Sequence, residues 1–578
     1  MRNAEIADAF VELGTLYELD GANRFRVLAY KDAAKVIRQS PVPIGDLARA
    51  GKAKELPGIG KTIEEKIVAL LDGGSIPSAD KLKAKYPPTL VEVTRIPGLG
   101  AKTVRRLFDE LGVSSLDDLR EAVAGQKIRV LRGLGPKAEE NIAAGLAKLQ
   151  ADGPAERMLL SNVLPVAEAL AQALREHPAS DQVTIAGSAR RLAETCKDID
   201  LIATARKPAE LARAMTKHEL VDAAGKPGPN GVRALTFNGV AVDLRIVRPA
   251  AYGNLLQHFT GSAAHNVELR ERALKKGLSV SEHGITHVES GKVTRYKDER
   301  GVYKRLGLAY IEPELREGRG EIAAAAAGEL PELVELADLR GDLHCHTTLS
   351  DGRNSLEEMA EAARARGYAY QAITDHSASH GFGDDVQPDA LERRIEEIRE
   401  LNESAYAGKR FRLLAGSEVN ILPDGSLDYE DDVLAELDWV VASVHTSFRM
   451  TPANMTKRIV TALEHPLVDC LGHPSGRLLL RREGYDFDIE AVFEAAARTG
   501  TMIEINGNPN RRDLSERNAR LAAEAGVMIC CTTDAHGVDT LGNTRYSIAT
   551  ARRAWLTKKQ VANTRPLAQL LKLGKRTT

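Results

Sequence analysis

Cysteine is scarce in this chain: five residues in 578, none of them in a CxxC pair. That excludes a disulfide scaffold or a cysteine-based zinc ribbon and fits a reducing compartment. No segment approaches the roughly 20 consecutive apolar residues that a membrane-spanning helix needs, so no membrane association is expected. The opening MRNAEIADAF has no basic flank, apolar run or small-residue cleavage site. A secretory signal is therefore not expected, and a cytoplasmic location is. An excess of charge of one sign is missing too. With 79 Lys and Arg against 81 Asp and Glu, the formal charge is −2. Any nucleic acid must then be held by local basic surfaces and oriented backbone amides, because the global field will not attract it.

What the chain does have is length. At 578 residues, with 43% hydrophobic and 28% charged residues, it is several times the usual size of a domain built on one core, so a multidomain globular protein is expected. Residues 1–150 are rich in helix formers, and the apolar positions of AKVI and EEKIVALLDGG recur at helical spacing. Within this all-α stretch an internal repeat occurs. Pro57-Gly58-Ile59-Gly60-Lys61 returns as Pro97-Gly98-Leu99-Gly100-Ala101-Lys102 and, more loosely, as Gly133-Leu134-Gly135-Pro136-Lys137. Two glycines in a helix–hairpin–helix turn present backbone N–H groups at a helix N-terminus, where a DNA phosphate can sit without its sequence being read. Gly58, Gly60, Lys61, Gly98, Gly100 and Lys102 are therefore the candidate DNA contacts. The third copy has Pro136 at the corresponding helix start and is read as structural.

From about Ala179 short β-branched runs take over: QVTIAG, IDLIATA and VAVDLRIV. Asp198 and Asp200 lie two residues apart on one such run, hence on one face of a strand, and Asp243 comes from another. Three carboxylates flanked by apolar residues repel one another unless divalent cations join them, and a pair of Mg²⁺ or Mn²⁺ ions turns that repulsion into a site for phosphoryl transfer. Ten residues upstream, Gly187, Ser188 and Arg191 offer an N–H, a hydroxyl and a guanidinium to phosphate. This stretch, Gly187-Ser188-Ala189-Arg190-Arg191 through Asp198-Ile199-Asp200, resembles the nucleotidyltransferase palm of family X DNA polymerases, the polymerase beta group. His258-Phe259-Thr260-Gly261-Ser262 with Asn266 and Arg270 resembles that family's thumb. The resemblance implies that Phe259 and Gly261 line the sugar and that Asn266 and Arg270 face nucleotide and template. It also implies gapped or nicked double-stranded DNA and dNTPs as substrates. The chain departs from the family at Lys197, where glycine is usual, and at His258, where tyrosine is usual. Lys66 falls where relatives with lyase activity carry a Schiff-base lysine, and a solvated helix face is the reading preferred for it here.

Histidine is also sparse, 14 in 578 residues, yet the C-terminal part concentrates it at the ends of strand-like runs. Asp342-Leu343-His344-Cys345-His346 puts His344 and His346 on one strand face, with Asp351 in the loop that follows, and Asp375-His376, Glu418, His445, His473 and Asp534-Ala535-His536 each follow an apolar run; such runs alternate with helical sequence as in a βα barrel. Such a set suits Zn²⁺, Mn²⁺ or Fe²⁺. It closely resembles the PHP (polymerase and histidinol phosphatase) domain. That likeness implies three ions: one on His344, His346, Glu418 and Asp534, a second on Glu418, His445 and His473, and a third on Asp351, His376 and His536. Asp375 is expected to orient a ligand histidine, and Arg477 reads equally as a phosphate contact or as an exposed surface arginine.

The expected architecture is therefore all-α helix–hairpin–helix domains, an α+β nucleotidyltransferase palm and thumb, and a C-terminal distorted (βα)7 PHP barrel. The expected boundaries are a small helical domain over residues 1–80, fingers 81–155, palm 156–248, thumb 249–317, linker 318–338 and barrel 339–578. The expected function is gap-filling DNA polymerase in repair, with 3′-5′ exonuclease, abasic-site or 3′-end phosphoesterase activity in the barrel, acting as a monomer. The alternative is a DNA-end phosphoesterase whose polymerase half has been reduced to DNA binding.

Overall fold

The computed structural model describes residues 1–56, 58–94, 96, 99–131, 133–151, 157–379, 381 and 385–575. Gly98, one of the candidate DNA contacts, lies outside the described residues. The chain splits into two compact units: Met1–Met158, Asn162–Ile185 and Lys197–Val247 form one, and Leu159–Ser161, Ala186–Cys196 and Arg248–Thr578 the other. No helix among the described residues is long and apolar enough to cross a membrane. All five cysteines are buried and unbridged.

The first unit opens with the helices Asn3–Leu19 and Arg24–Gln39. Ile6, Phe10, Leu13 and Tyr17 on the first, and Val27, Tyr30, Ala34 and Ile37 on the second, recur every three or four residues and form the shared core. The described residues of the three glycine repeats share one hydrogen bond. Ile59, Leu99 and Leu134 each donate their backbone N–H to the carbonyl three residues back, of Leu56, Ile96 and Leu131. Gly60 and Gly100 then cap the helices Lys61–Gly73 and Ala101–Leu111. Gly58 and Gly133 take φ of 85° and 82°, a left-handed turn that glycine makes without strain. Pro136 starts its helix, where a missing N–H costs nothing.

The same unit holds a five-stranded sheet in the order Ser180–Ile185, Asp198–Ala205, Ala241–Ile246, Gly231–Thr236, Val221–Ala224. Its central pair, Asp198–Ala205 and Ala241–Ile246, is parallel, and the outer pairings are antiparallel.

In the second unit two helices, Tyr252–Thr260 and Ala263–Leu274, pack with a small antiparallel sheet of Leu278–Ser281, Gly284–His287 and Val293–Thr294. The 318–338 connection, expected as a linker, carries the helix Glu321–Ala327, one face of which is buried through Glu321, Ile322 and Ala325. Ile322, Ala325 and Leu333 join the core of that helical and sheet region, and the Glu321 carboxylate lies 2.7 Å from His265 Nδ1.

Seven parallel strands follow, in chain order: Gly341–Asp342, Tyr370–Ile373, Arg412–Asn420, Trp439–Ser443, Cys470–Leu471, Met502–Asn506 and Ile529–Thr532. A parallel bridge between Cys345 and Ala535 joins the first strand's extension to the last, closing the barrel at its C-terminal end. Strand alternation explains what lies inside. Tyr370, Ala372, Leu414, Trp439, Val441, Cys470, Met502 and Cys530 share one buried apolar cluster, the floor. Two or four residues further along the same faces come Glu418, His445, Glu504 and Asp534.

Candidate active sites

The palm carboxylates are placed by register. Asp200 pairs with Asp243 and Asp198 with Ala241 across the parallel strands, so the three acids share one face within two residues of the strand ends. The burial alternates accordingly: Asp198 and Asp200 are half-buried around a fully buried Ile199. Asp243 is held by Arg245 at 3.0 Å and Arg233 at 3.3 Å. These guanidiniums supply counter-charge to a carboxylate that would otherwise face its neighbours. Three acids on one face are a donor set that suits hard divalent cations.

The thumb residues take defined places. A Cβ on Gly261 would lie 2.6 Å from Asn266 Oδ1 and 2.7 Å from His265 Cδ2, so a side chain there would displace one of them. Asn266 donates to the carbonyls of His258 and Gly261 at 2.8 and 3.2 Å, stapling the turn around Phe259, and Arg270 is exposed with its Nε on the Asn266 carbonyl. His258 packs edge-on against Phe259. Arg191, expected to face phosphate, is instead engaged by Glu317 at 2.9 Å and by the Thr260 carbonyl at 2.8 Å. Gly187 starts the short helix Gly187–Arg190, on which Ser188 lies. Lys61 and Lys102 are exposed. Lys66 donates to Ser78 Oγ at 3.0 Å and lies 5.9 Å from the Tyr30 ring centre, half-buried on its helix.

In the barrel, three groups of side chains bring ligand atoms within 4.8 Å of one another: His346, Asp351, His376 and His536; His344, His346 and Asp534; and His376, Glu418 and His445. Glu418 joins them. Its Oε2 lies 3.3 Å from His344 Nε2, 3.6 Å from His346 Nε2 and 3.1 Å from His376 Nδ1, and its Oε1 lies 2.8 Å from His473 Nε2 and 3.2 Å from His445 Nε2. All nine expected ligand residues thus surround one another. His376 and His346 are each shared between two of the groups, where the sequence reading gave each a single ion.

Burial lowers the imidazoles and neighbouring carboxylates raise them, and the balance differs along the site: Glu504 and Glu418 hold His344 well above its ordinary value, and Asp351 and Asp534 bring His536 up to about 9. Burial would push the Glu418 carboxyl up, but His445, His344, His376 and His473 around it hold it well below the usual carboxylate range. Burial, with the neighbouring His536 and His376, pushes the His346 imidazole down to about 4. Burial likewise brings His445 down to about 4, against the pull of Glu418. Two neutral imidazoles beside an ionised carboxylate are ligands ready for a metal. The buried nitrogens His344 Nε2, His346 Nδ1 and Nε2, and His473 Nδ1 have no partner in hydrogen-bonding geometry among the described residues. Such atoms are costly unless something coordinates them.

One residue that sequence reasoning missed holds this arrangement. Glu504, fully buried, takes His344 Nδ1 at 2.6 Å and the His473 backbone N–H at 2.5 Å. A carboxylate at Nδ1 selects the tautomer whose Nε2 lone pair faces Glu418 and Asp534. Asp375 does not play this part. It accepts instead from the Thr347 amide at 2.7 Å, the Thr347 hydroxyl at 2.8 Å and the Ser350 hydroxyl at 2.8 Å. It therefore braces the turn that carries Asp351. Arg477 is not a free phosphate contact, being paired with Glu194 at 2.5 Å. Arg511, also missed, places Nε 3.5 Å from Asp534 Oδ2 and is partly exposed.

Four family models match: a helix-hairpin-helix domain over residues 1–76, a SAM-like helix-hairpin-helix tandem over 90–148, the DNA polymerase beta thumb over 255–317 and the PHP domain over 342–508. Along its whole length the chain is similar to the DNA polymerase/3'-5' exonuclease PolX of Bacillus subtilis (strain 168), 37% identical over 569 residues that cover 98% of each chain. The chain belongs to the PolX family. Its barrel alone is similar to smaller proteins. A probable phosphatase of Thermoanaerobacter sp. (strain X514) is 32% identical over 243 residues, 39% of this chain and 89% of the relative. A probable phosphatase of Acetivibrio thermocellus is 32% identical over 205 residues, 34% of this chain and 78% of the relative. PolX chains thus join a polymerase to a barrel that also occurs without one, and both halves are metal-dependent.

Proposed function

We propose that this PolX chain fills short gaps in nicked or gapped double-stranded DNA with dNTPs, and that its barrel hydrolyses phosphodiesters at 3′ ends in the 3′-5′ direction. The observation that carries the reading is the similarity to a polymerase/exonuclease over 98% of both chains, with the acids of one pocket and the nine ligands of the other both intact. The functional division follows the expected domain boundaries at residues 80, 155, 248, 317 and 338, and the protein works as a cytoplasmic monomer.

Asp198, Asp200 and Asp243 hold Mg²⁺ or Mn²⁺ in the palm, and the barrel's three ion positions take Zn²⁺, Mn²⁺ or Fe²⁺. When bound, the ions supply Lewis acidity and fixed positive charge toward phosphate oxygens. The chain's own groups do the rest. Gly187 and Ser188 offer an N–H and a hydroxyl to the triphosphate. Phe259 and Gly261 shape the sugar pocket, Asn266 staples that turn, and exposed Arg270 meets the template strand. Gly58, Gly60, Lys61, Gly98, Gly100 and Lys102 grip backbone phosphates on either side of the gap. In the barrel Glu504 holds His344 in its ligating tautomer, and Arg511 neutralises charge developing on the scissile phosphate. Lys66, bonded to Ser78, serves the helix face and is not a Schiff-base nucleophile.

Primer extension across a one-nucleotide gap tests the polymerase reading. The unsubstituted protein incorporates one nucleotide, and Asp243→Ala lowers incorporation at least about a hundred-fold. Absence of incorporation by the unsubstituted protein would favour the alternative, a phosphoesterase whose polymerase half only binds DNA.

A further inference from the structure

Residues Ala186–Cys196 carry the triphosphate-facing Gly187 and Ser188, yet this segment belongs to the same compact unit as the barrel. The turn at its end, Arg191 to Glu194, is held by barrel arginines. Arg553 Nη1 donates to the Arg191 carbonyl at 2.8 Å, and Arg512 Nη1 donates to the Leu192 carbonyl at 3.0 Å. Arg477 Nη2 pairs with the Glu194 carboxylate at 2.5 Å. Arg512 and Arg553 are 1% and 5% exposed, so neither is a chance surface contact. Glu317 adds a second tie, standing 2.7 Å from Arg553 and 2.9 Å from Arg191.

The backbone shows why such a clamp is needed. Leu192 has φ of 53°, a left-handed conformation that is strained for a branched-chain residue and that persists only when its surroundings impose it. The carbonyls on either side of that strained position, those of Arg191 and Leu192, are the ones that Arg553 and Arg512 take. Leu192 thereby returns the chain so that the Ala193 N–H reaches the Ser188 carbonyl at 3.1 Å and fixes the phosphate-facing turn. Arg512 is anchored in its own domain by Thr550 Oγ1 at 3.0 Å, and its neighbour Arg511 lies on the barrel ligand Asp534. One barrel loop therefore touches both the hydrolytic site and the nucleotide-binding segment.

We infer that Arg477, Arg512 and Arg553 of the barrel are positioning residues for the polymerase reaction, setting the Gly187–Arg191 turn for dNTP binding. The inference rests on the reading of that turn as the triphosphate cradle. It makes the barrel a structural part of the polymerase as well as a separate hydrolase.

The test is single-nucleotide gap filling by the full-length chain at varied dNTP concentration. Losing one buried, charge-assisted bond raises KM for dNTP about ten-fold and leaves kcat within about two-fold. That result is expected for Glu194→Gln and for Arg477→Met, and the double variant is no worse than either single variant because both remove one pair. Arg512→Lys, which keeps a donor within reach of the Leu192 carbonyl, falls between the unsubstituted protein and Arg512→Met. If the single variants lower the melting temperature while KM for dNTP stays unchanged, the residues are merely structural and the inference is overturned. Additive effects of Glu194→Gln and Arg477→Met overturn it equally. If the unsubstituted protein fails to incorporate, the cradle reading itself falls, an outcome distinct from an active protein with unaltered KM.

Discussion

Glu504 shows how much one side chain can decide. It faces the barrel interior from the strand Met502–Asn506 and has no role that its own segment announces. The histidines at strand ends could be recognised because each stands after an apolar run. Glu504 becomes meaningful only when the closed barrel brings residue 344 against residue 504, a separation no local pattern encodes. The same holds for the arginines. Arg191 reads as a phosphate contact, and Arg477 as one or as an exposed surface arginine, from their neighbours in sequence, but their partners Glu317 and Glu194 lie 126 and 283 residues away. Asp375, beside the ligand His376 in sequence, is taken up by Thr347 and Ser350, 28 and 25 residues away. Glu504→Gln keeps the shape but weakens the acceptor for His344. It is expected to lower metal affinity of the barrel and exonuclease rate by about 10–100-fold, with gap filling retained. Metal titration with both assays on one preparation checks it.

At the level of elements, strand alternation made most of the sites legible. The two-residue spacing of Asp198 and Asp200 correctly put them on one face, and parallel pairing then set Asp200 beside Asp243. The glycine repeats were legible as turns, and the described residues of all three share one hydrogen bond. What the sequence did not disclose is how the 186–196 and 318–338 segments are tied into the barrel unit. That tie also sets a pH dependence. Burial raises the Glu317 carboxyl, but Arg553 and Arg191 outweigh it and hold the pKa below the ordinary value, and Arg316 and Arg190 do the same for Glu299. Groups with depressed folded pKa values stabilise the fold above their unfolded pKa of about 4.3 and lose that contribution as pH falls toward the folded value. The melting temperature should therefore be flat above about pH 5 on their account and fall below about pH 4. The fall should be shallower in Glu317→Gln, as followed by calorimetry across that range.

For the whole molecule, the formal charge of −2 means that DNA affinity depends on a few local contacts. Backbone N–H groups at helix starts bind phosphate without releasing many counterions, so the salt dependence of binding should be modest and traceable to single lysines. Lys61→Ala and Lys102→Ala are each expected to reduce the slope of log K against log salt by about one, equally for unrelated sequences. Fluorescence anisotropy with gapped duplexes over a salt series measures it.

On the proposed function, one chain makes phosphodiester bonds on the palm aspartates and breaks them in the barrel. Gap filling and 3′-end degradation measured side by side on the same gapped duplex, for Asp243→Ala and His344→Ala, test it most directly. Asp243→Ala should degrade 3′ ends at the unsubstituted rate without filling the gap, and His344→Ala should fill the gap without degrading. If either substitution abolished both activities in a folded protein, or if His344→Ala left degradation intact, two separate chemistries could not be assigned to these two pockets.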